Sequence, residues 1–218
     1  MVRVAWDVSH QEFTIEDHYY FGKLKSALDK RGIAVKEINH LDYLEEYDVL
    51  VINYPEIKFS RSEIRAINKF IHGGGRVIIL GYYRNEDGVA DAVNSLSGRY
   101  GLELNADYIF DRVNNYGGDE LFIVTTKVNH FNHGVNRVMM PCTASIRILK
   151  KNAYVIVAGE DSAKASSLNR PIIGAGCSIG KGELIVIGTC VFWDNYAIDK
   201  YDNYKFAMNL LALSLIHI

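Results

Sequence analysis

The chain has 218 residues, 49% hydrophobic and 23% charged, with a formal charge of −2 at pH 7. That length suits a domain with a sizeable core, and with no basic cluster beyond Lys150-Lys151 the charge argues against a nucleic-acid partner. No apolar run approaches the roughly 20 residues of a bilayer span, and no secretory leader pattern opens the sequence, so a cytoplasmic protein without membrane association is expected.

The first hundred residues alternate between strand and helix signals. A short buried strand is expected over 2–8 and a helix over 17–31, with Tyr20, Leu24, Ala27 and Leu28 on one stripe. Gly32 stands where a helix-ending glycine belongs. Strands follow over 33–38 and 49–53. Ser60-Arg61-Ser62-Glu63 is a capping box that starts a helix with Ile64, Ile67, Phe70 and Ile71 facing inward. Gly73-Gly74-Gly75 stops it before a strand over 76–80. A weaker helix, about 87–100, directs Val89, Ala92, Val93 and Leu96 to the core.

After Gly101 the texture turns β-rich, with runs at 108–110, 121–124, 145–148 and 154–158 that read as added hairpins. Residues 171–175 and 183–188 flank the turn Ile179-Gly180-Lys181-Gly182. An apolar helix over about 203–215, carrying Phe206, Leu210 and Leu213, closes the pattern against the sheet or a second subunit. The β-α-β-α order predicts a Rossmann-like α/β fold, doubly wound around a mainly parallel sheet. One domain over 1–218 is expected, with its core mainly in 1–104 and 171–218 and a β-rich insertion over about 105–170.

Open parallel sheets bind ligands beyond the carboxyl ends of their strands. Three polar loops fall there: Ser9-His10-Gln11-Glu12, Tyr54-Pro55-Glu56, and Gly81-Tyr82-Tyr83-Arg84-Asn85. His10 titrates near neutrality, with Asp7 or Glu12 as a carboxylate to orient it. Tyr82, Tyr83 and Arg84 suit stacking on a sugar or planar ligand. His130 and His133 stand three apart, but the surrounding asparagines and Gly134 favour a turn, so no metal is expected. Gly174-Ala175-Gly176 leads into a strand rather than a helix, which argues against a dinucleotide site, and no Walker A sequence occurs. No cofactor is expected. Cys142, Cys177 and Cys190 form neither a disulfide framework nor a paired zinc motif and read as free thiols of unassigned role.

The order of motifs adds a resemblance. Val4-Ala5-Trp6-Asp7-Val8-Ser9-His10 and Gly73-Gly74-Gly75-Arg76-Val77-Ile78-Ile79-Leu80 together resemble class I glutamine-amidotransferase-like domains. Within that superfamily the chain is most similar to the branch found in gliding-motility transport and intraflagellar-transport proteins. His130-Phe131-Asn132-His133-Gly134-Val135 is similar to that branch's His-Pro-x-x-x-Gly-Val segment, with Phe131 in place of proline. The run 180–188, Asn195 and Asn209-Leu210-Leu211 resemble its C-terminal signature. The resemblance spans about 2–213 and implies a flavodoxin-like sheet. Catalytic relatives carry a cysteine on a sharp turn after a core strand, activated by a carboxylate-oriented histidine. Here that turn is Gly81-Tyr82-Tyr83, and the late strand leads to Thr189-Cys190-Val191-Phe192-Trp193-Asp194 without a histidine.

With the triad missing, the leading expectation is a non-catalytic binding module for a small polar ligand, a saccharide among them, or a protein partner. Ser9, His10, Tyr54, Tyr82, Tyr83, Arg84 and Asn195 would line its crevice. The alternatives are a hydrolase using His10 with Asp7 or Glu12, and a scaffold that forms homo-oligomers through the last helix.

Overall fold

The computed structural model describes residues 2–166 and 169–212. Its elements in chain order are β1 (Arg3–Asp7), α1 (His18–Lys30), β2 (Ala34–Ile38), β3 (Val49–Asn53), α2 (Arg61–Gly73), β4 (Arg76–Leu80) and α3 (Val89–Ser97). Short strands follow: β5 (Leu102–Leu104), β6 (Ile109–Phe110), β7 (Asn115–Tyr116), β8 (Asp119–Thr125), β9 (Val138–Pro141), β10 (Ile146–Ile148), β11 (Ala153–Ala158) and β12 (Lys164–Ala165). The hairpin β13 (Ile172–Ile179) and β14 (Gly182–Ile187) and the helix α4 (Asn203–Leu211) complete the fold.

The central sheet has seven strands in the order β11-β13-β14-β4-β3-β1-β2. From β14 to β2 every neighbouring pair is parallel, while β13 and β11 extend the sheet antiparallel. This is the α/β class with a mainly parallel sheet that the alternating pattern predicts. Strands buried on both faces read as continuous apolar runs, and β3 and β4 are buried at every position. Their registers are level. Val49 and Glu183 flank Arg76 at one end, and Asn53 and Ile187 flank Leu80 at the other, so β3, β4 and β14 all deliver their loops to one edge.

Helix α2 starts as its sequence dictates. The Ser60 hydroxyl accepts from Glu63 N at 3.3 Å, and the Glu63 carboxylate accepts from Ser60 N at 2.6 Å. Gly74 ends it at φ +115°, a conformation that favours glycine. Helix α1 is rotated from its expected phase. Phe21 joins Leu24, Ala27 and Leu28 in the core, whereas Tyr20 is 39% exposed. Three aromatic residues in a row leave the stripe ambiguous, and packing against Trp6, 5.5 Å from the Phe21 ring, decides it.

The second half departs further from expectation. β11 pairs with β13 in the central sheet, so it is not a separate added hairpin. Gly176 sits where any Cβ would strike the Tyr154 ring, and its lack of a side chain lets that ring lie across β13. α4 buries Phe206, Ala207, Met208, Leu210 and Leu211 within its own chain, packed against Phe192 and clamped by Arg76, whose guanidinium donates to Leu210 O at 2.8 Å. The expected extension of this helix to 215, with Leu213, lies outside the described residues.

Candidate functional site

Parallel pairing of β1, β3 and β4 brings three loops together at the carboxyl edge. The loops after β1 and β3 are joined by Glu56 N donating to His10 O at 2.9 Å, and Tyr54 N donates to Leu80 O at 3.0 Å. Trp6, buried in β1, reaches back through its indole N–H to Phe13 O at 2.8 Å and anchors the far end of its own loop. Every one of these loops holds a non-glycine residue in the left-handed region: Gln11, Tyr54, and Arg84, Asn85 and Asp87. Each such residue costs on the order of 1 kcal/mol and persists only where its surroundings fix it.

Two arrangements occupy the edge. The first is a buried polar knot of Asp7, Ser9, His10 and Glu12. His10 Nδ1 lies 2.8 Å from Asp7 Oδ2 and 2.9 Å from Ser9 Oγ. The other Asp7 oxygen accepts from Ser9 N at 3.0 Å and Ser9 Oγ at 2.7 Å. Glu12 Oε2 accepts from His10 N at 2.6 Å, and Glu12 Oε1 stands 3.7 Å from His10 Nδ1. On its other side the imidazole faces the α2 cap, with His10 Nε2 3.5 Å from Glu63 Oε2. The ring lies against Phe59 at 4.1 Å, and its side chain is 3% exposed.

Burial opposes charge throughout this knot, and the partners decide which groups keep it. Asp7 is held below the usual carboxylate range because hydrogen bonds from His10 and Ser9 outweigh its burial. His10 is raised above the ordinary imidazole value, since the carboxylates of Asp7, Glu12 and Glu63 overcome burial. Glu12 is pushed up to about 8, first by burial and then by the Asp7 charge. At neutral pH the knot therefore pairs an ionised Asp7 with a neutral Glu12, and both Asp7 and the α2 cap favour the charged form of His10.

The second arrangement is an aromatic row along the rim. Tyr20 packs on Phe13 at 5.2 Å, Phe13 on Tyr54 at 5.2 Å, Tyr54 on Tyr82 at 5.4 Å, and Tyr82 on Tyr83 at 4.7 Å. The Arg84 guanidinium stacks over Tyr83 and Tyr108 at 5.2 and 4.7 Å. Tyr54 is buried and donates its hydroxyl to Asp87 at 2.8 Å, so it props the row from below. Tyr82 and Tyr83 are half-buried and Arg84 is exposed.

The structure thus brings Ser9, His10, Tyr54, Tyr82, Tyr83 and Arg84 to one edge. Asn195 is occupied elsewhere: its amide donates to His18 O and Tyr19 O, both at 2.7 Å, and its oxygen accepts from Lys23 N at 2.8 Å. It ties the start of α1 to the segment after β14. Sequence reasoning missed Glu63 as a neighbour of His10, and Phe13 and Tyr20 as members of the row. The capping box flagged Glu63 only as a helix signal, while Phe13 stood next to the loop already singled out.

Other expected features have settled structural roles. The segment 130–133 is a turn held to α4 by Asn209, which donates to Phe131 O at 2.8 Å and His133 O at 3.0 Å. Cys177 and Cys190 are buried, and burial pushes both thiols up, as it does for the half-buried Cys142. A hollow of 860 Å³ opens at the opposite, amino end of the sheet, beside Arg3, Asp48, Lys69 and Gly74. Among the described residues no helix is long and apolar enough to cross a membrane.

Comparisons with known proteins fit this architecture. The mmIFT52 N-terminal domain superposes with a TM-score of 0.81 at 20% identity, covering 99% of this chain and 100% of that one. A ThuA-like protein from Bacteroides uniformis gives a TM-score of 0.57 at 11% identity, covering 96% and 89%. Cytoplasmic Protein STM3548 from Salmonella typhimurium gives 0.54 at 13%, covering 97% and 98%. These likenesses establish a shared fold. In sequence, a protein of Aquifex aeolicus (strain VF5), described as an uncharacterized protein, is 43% identical over 219 residues, spanning 96% of this chain and 93% of its own length. Residues 21–211 match the family described as Domain of unknown function (DUF4350), and the chain is a member of that family.

Proposed function

We propose that the chain is a non-catalytic binding module, of the amidotransferase-like branch found in gliding-motility and intraflagellar-transport proteins, acting in the cytoplasm. It takes a small polar ligand with a flat apolar face, a saccharide first, on the rim formed by Tyr82, Tyr83 and Arg84. The observation that carries this reading is the state of His10. Both imidazole nitrogens face carboxylates, at 2.8 Å (Asp7) and 3.5 Å (Glu63), and the side chain is 3% exposed. A general base must reach the proton it abstracts, and this imidazole is directed into the protein.

Among the described residues no activated cysteine stands beside it. Cys190 is buried with its thiol raised by burial, the reverse of an activated cysteine. The turn after β4 carries Gly81, and any Cβ there would strike Leu104. What the edge does offer is aromatic surface beside a guanidinium, on loops whose strained backbones fix the geometry. The hydrolase reading gains nothing from these contacts. The scaffold reading loses its main support, because the described part of α4 is covered by its own chain.

A thermal-shift panel of mono- and disaccharides and short peptides tests the proposal. A ligand that occupies the rim raises the melting temperature of the wild type, and Tyr82→Ala or Tyr83→Ala abolishes the rise. A ligand whose shift survives both substitutions binds elsewhere and overturns the assignment of the rim.

A further inference from the structure

Within the knot, one oxygen accepts from no donor. Glu12 Oε1 is fully buried, and in the metal-free chain the Glu12 proton is shared with the Asp7 carboxylate. Buried carboxylate oxygens are rarely left without a donor. Asp7, His10 and Glu12 can each offer one ligand atom, and these three atoms lie within 4.8 Å of one another. The imidazole nitrogen is 2.8 Å from the Asp7 oxygen and 3.7 Å from the Glu12 oxygen. Donors about 2.1 Å from one ion, at tetrahedral to octahedral angles, stand about 3.0 to 3.4 Å apart. The observed separations bracket that range.

The remaining polar atoms of the three side chains are each already engaged. Asp7 Oδ1 accepts from Ser9 N and Oγ, Glu12 Oε2 accepts from His10 N, and His10 Nε2 faces Glu63. Metal sites are built this way: one atom of each ligand turns inward and an outer partner holds the other. We propose that Asp7 Oδ2, His10 Nδ1 and Glu12 Oε1 bind one divalent transition-metal ion, of the zinc or manganese kind. An imidazole donor among carboxylates selects such ions over magnesium and calcium, which take oxygen. Binding releases the Glu12 proton and any proton on His10 Nδ1 to solvent, so that two carboxylates balance the ion's charge inside the protein and a solvent molecule completes its shell. The ion ties the loop over 8–12 to the end of β1. This inference goes beyond the rim reading and stands without it, since Tyr82 and Tyr83 contribute no donor.

The test is calorimetric titration of chelator-stripped protein with zinc and manganese chlorides. One ion should bind per chain. Glu12→Gln, which keeps shape and removes the donor charge, should weaken binding at least about tenfold. Replacing His130 and His133 together with alanine should change nothing. Failure of the wild type to bind either ion at concentrations to about 100 μM, or equal binding by Glu12→Gln, overturns the proposal. Should Glu12→Gln fail to fold, nitrogen-15 NMR of the wild-type imidazoles decides. Zinc must move the His10 Nδ1 resonance, and an unmoved resonance overturns the site.

Discussion

Replacing Glu12 by glutamine in metal-free protein should change stability little at acid pH and stabilise the chain increasingly as pH rises. Glu12 ionises at about 8 in the folded chain, against about 4.3 for an unperturbed glutamic acid. The folded state thus holds this proton more tightly than the unfolded state does. The resulting stability is fully present below pH about 4.3 and is lost progressively as pH rises through about 8. Each pH unit in that window costs at most about 1.4 kcal/mol, which sets a ceiling of about 5 kcal/mol by pH 9. The raised His10 value acts in the same direction, its contribution fading as pH rises past the ordinary imidazole range. Glutamine reproduces the neutral acid: its carbonyl can accept from His10 N and its amide can donate toward Asp7. Urea unfolding in the presence of a chelator, at pH 5, 7 and 9, reads the difference. At pH 5 the variant should match the wild type within about 1 kcal/mol, and at pH 9 it should be more stable by about 2 to 4 kcal/mol. A variant that loses stability at pH 9, or that keeps the wild-type slope with pH, refutes the assignment of the proton to Glu12.

Other perturbations probe the fold around the site. Asn203 is fully buried; its amide donates to Met139 O and Phe192 O at 2.8 Å and to Ala197 O at 3.1 Å, and its oxygen accepts from Met139 N at 2.8 Å. Asn203→Ala leaves those backbone groups without partners and should cost about 3 to 5 kcal/mol in chemical denaturation. Ser60→Ala should cost about 1 kcal/mol by removing the α2 cap. It should leave the Glu63 carboxylate facing His10, which the His10 titration in NMR would report. Thiol modification of the native chain should label Cys142 first and spare Cys190 until denaturant is added, followed by mass spectrometry of the labelled peptides.

The sequence was most legible where short-range rules operate. Continuous apolar runs marked the buried parallel strands, and the box Ser60–Glu63 and Gly74 set both ends of α2. Polar loops after β1, β3 and β4 marked the edge of the sheet that carries the candidate site. What was hidden depends on distant partners. β5, β6, β7, β9 and β12 are two to four residues each, and pairing rather than periodicity defines them. β11 reads as a hairpin strand until β13 is known to accept it. Residues 18–21 are apolar or aromatic enough that either Tyr20 or Phe21 fits the stripe, and only Trp6 decides. Asn195 carries a polar side chain after a late strand, as a binding residue would, yet its partners at His18, Tyr19 and Lys23 lie more than 170 residues away. The approach of Glu63 to His10 likewise joins a loop and the first turn of α2, which no local pattern connects.

The reading of the carboxyl edge as a binding rim is tested most directly by amide chemical-shift mapping. Isotope-labelled protein is titrated with the saccharide that gives the largest thermal shift. The expected result is a set of perturbed amides concentrated at Tyr82, Tyr83 and Arg84, with the loop over 8–13 moving alongside. Perturbations confined to the hollow beside Arg3, Asp48 and Gly74 at the opposite end of the sheet would contradict it.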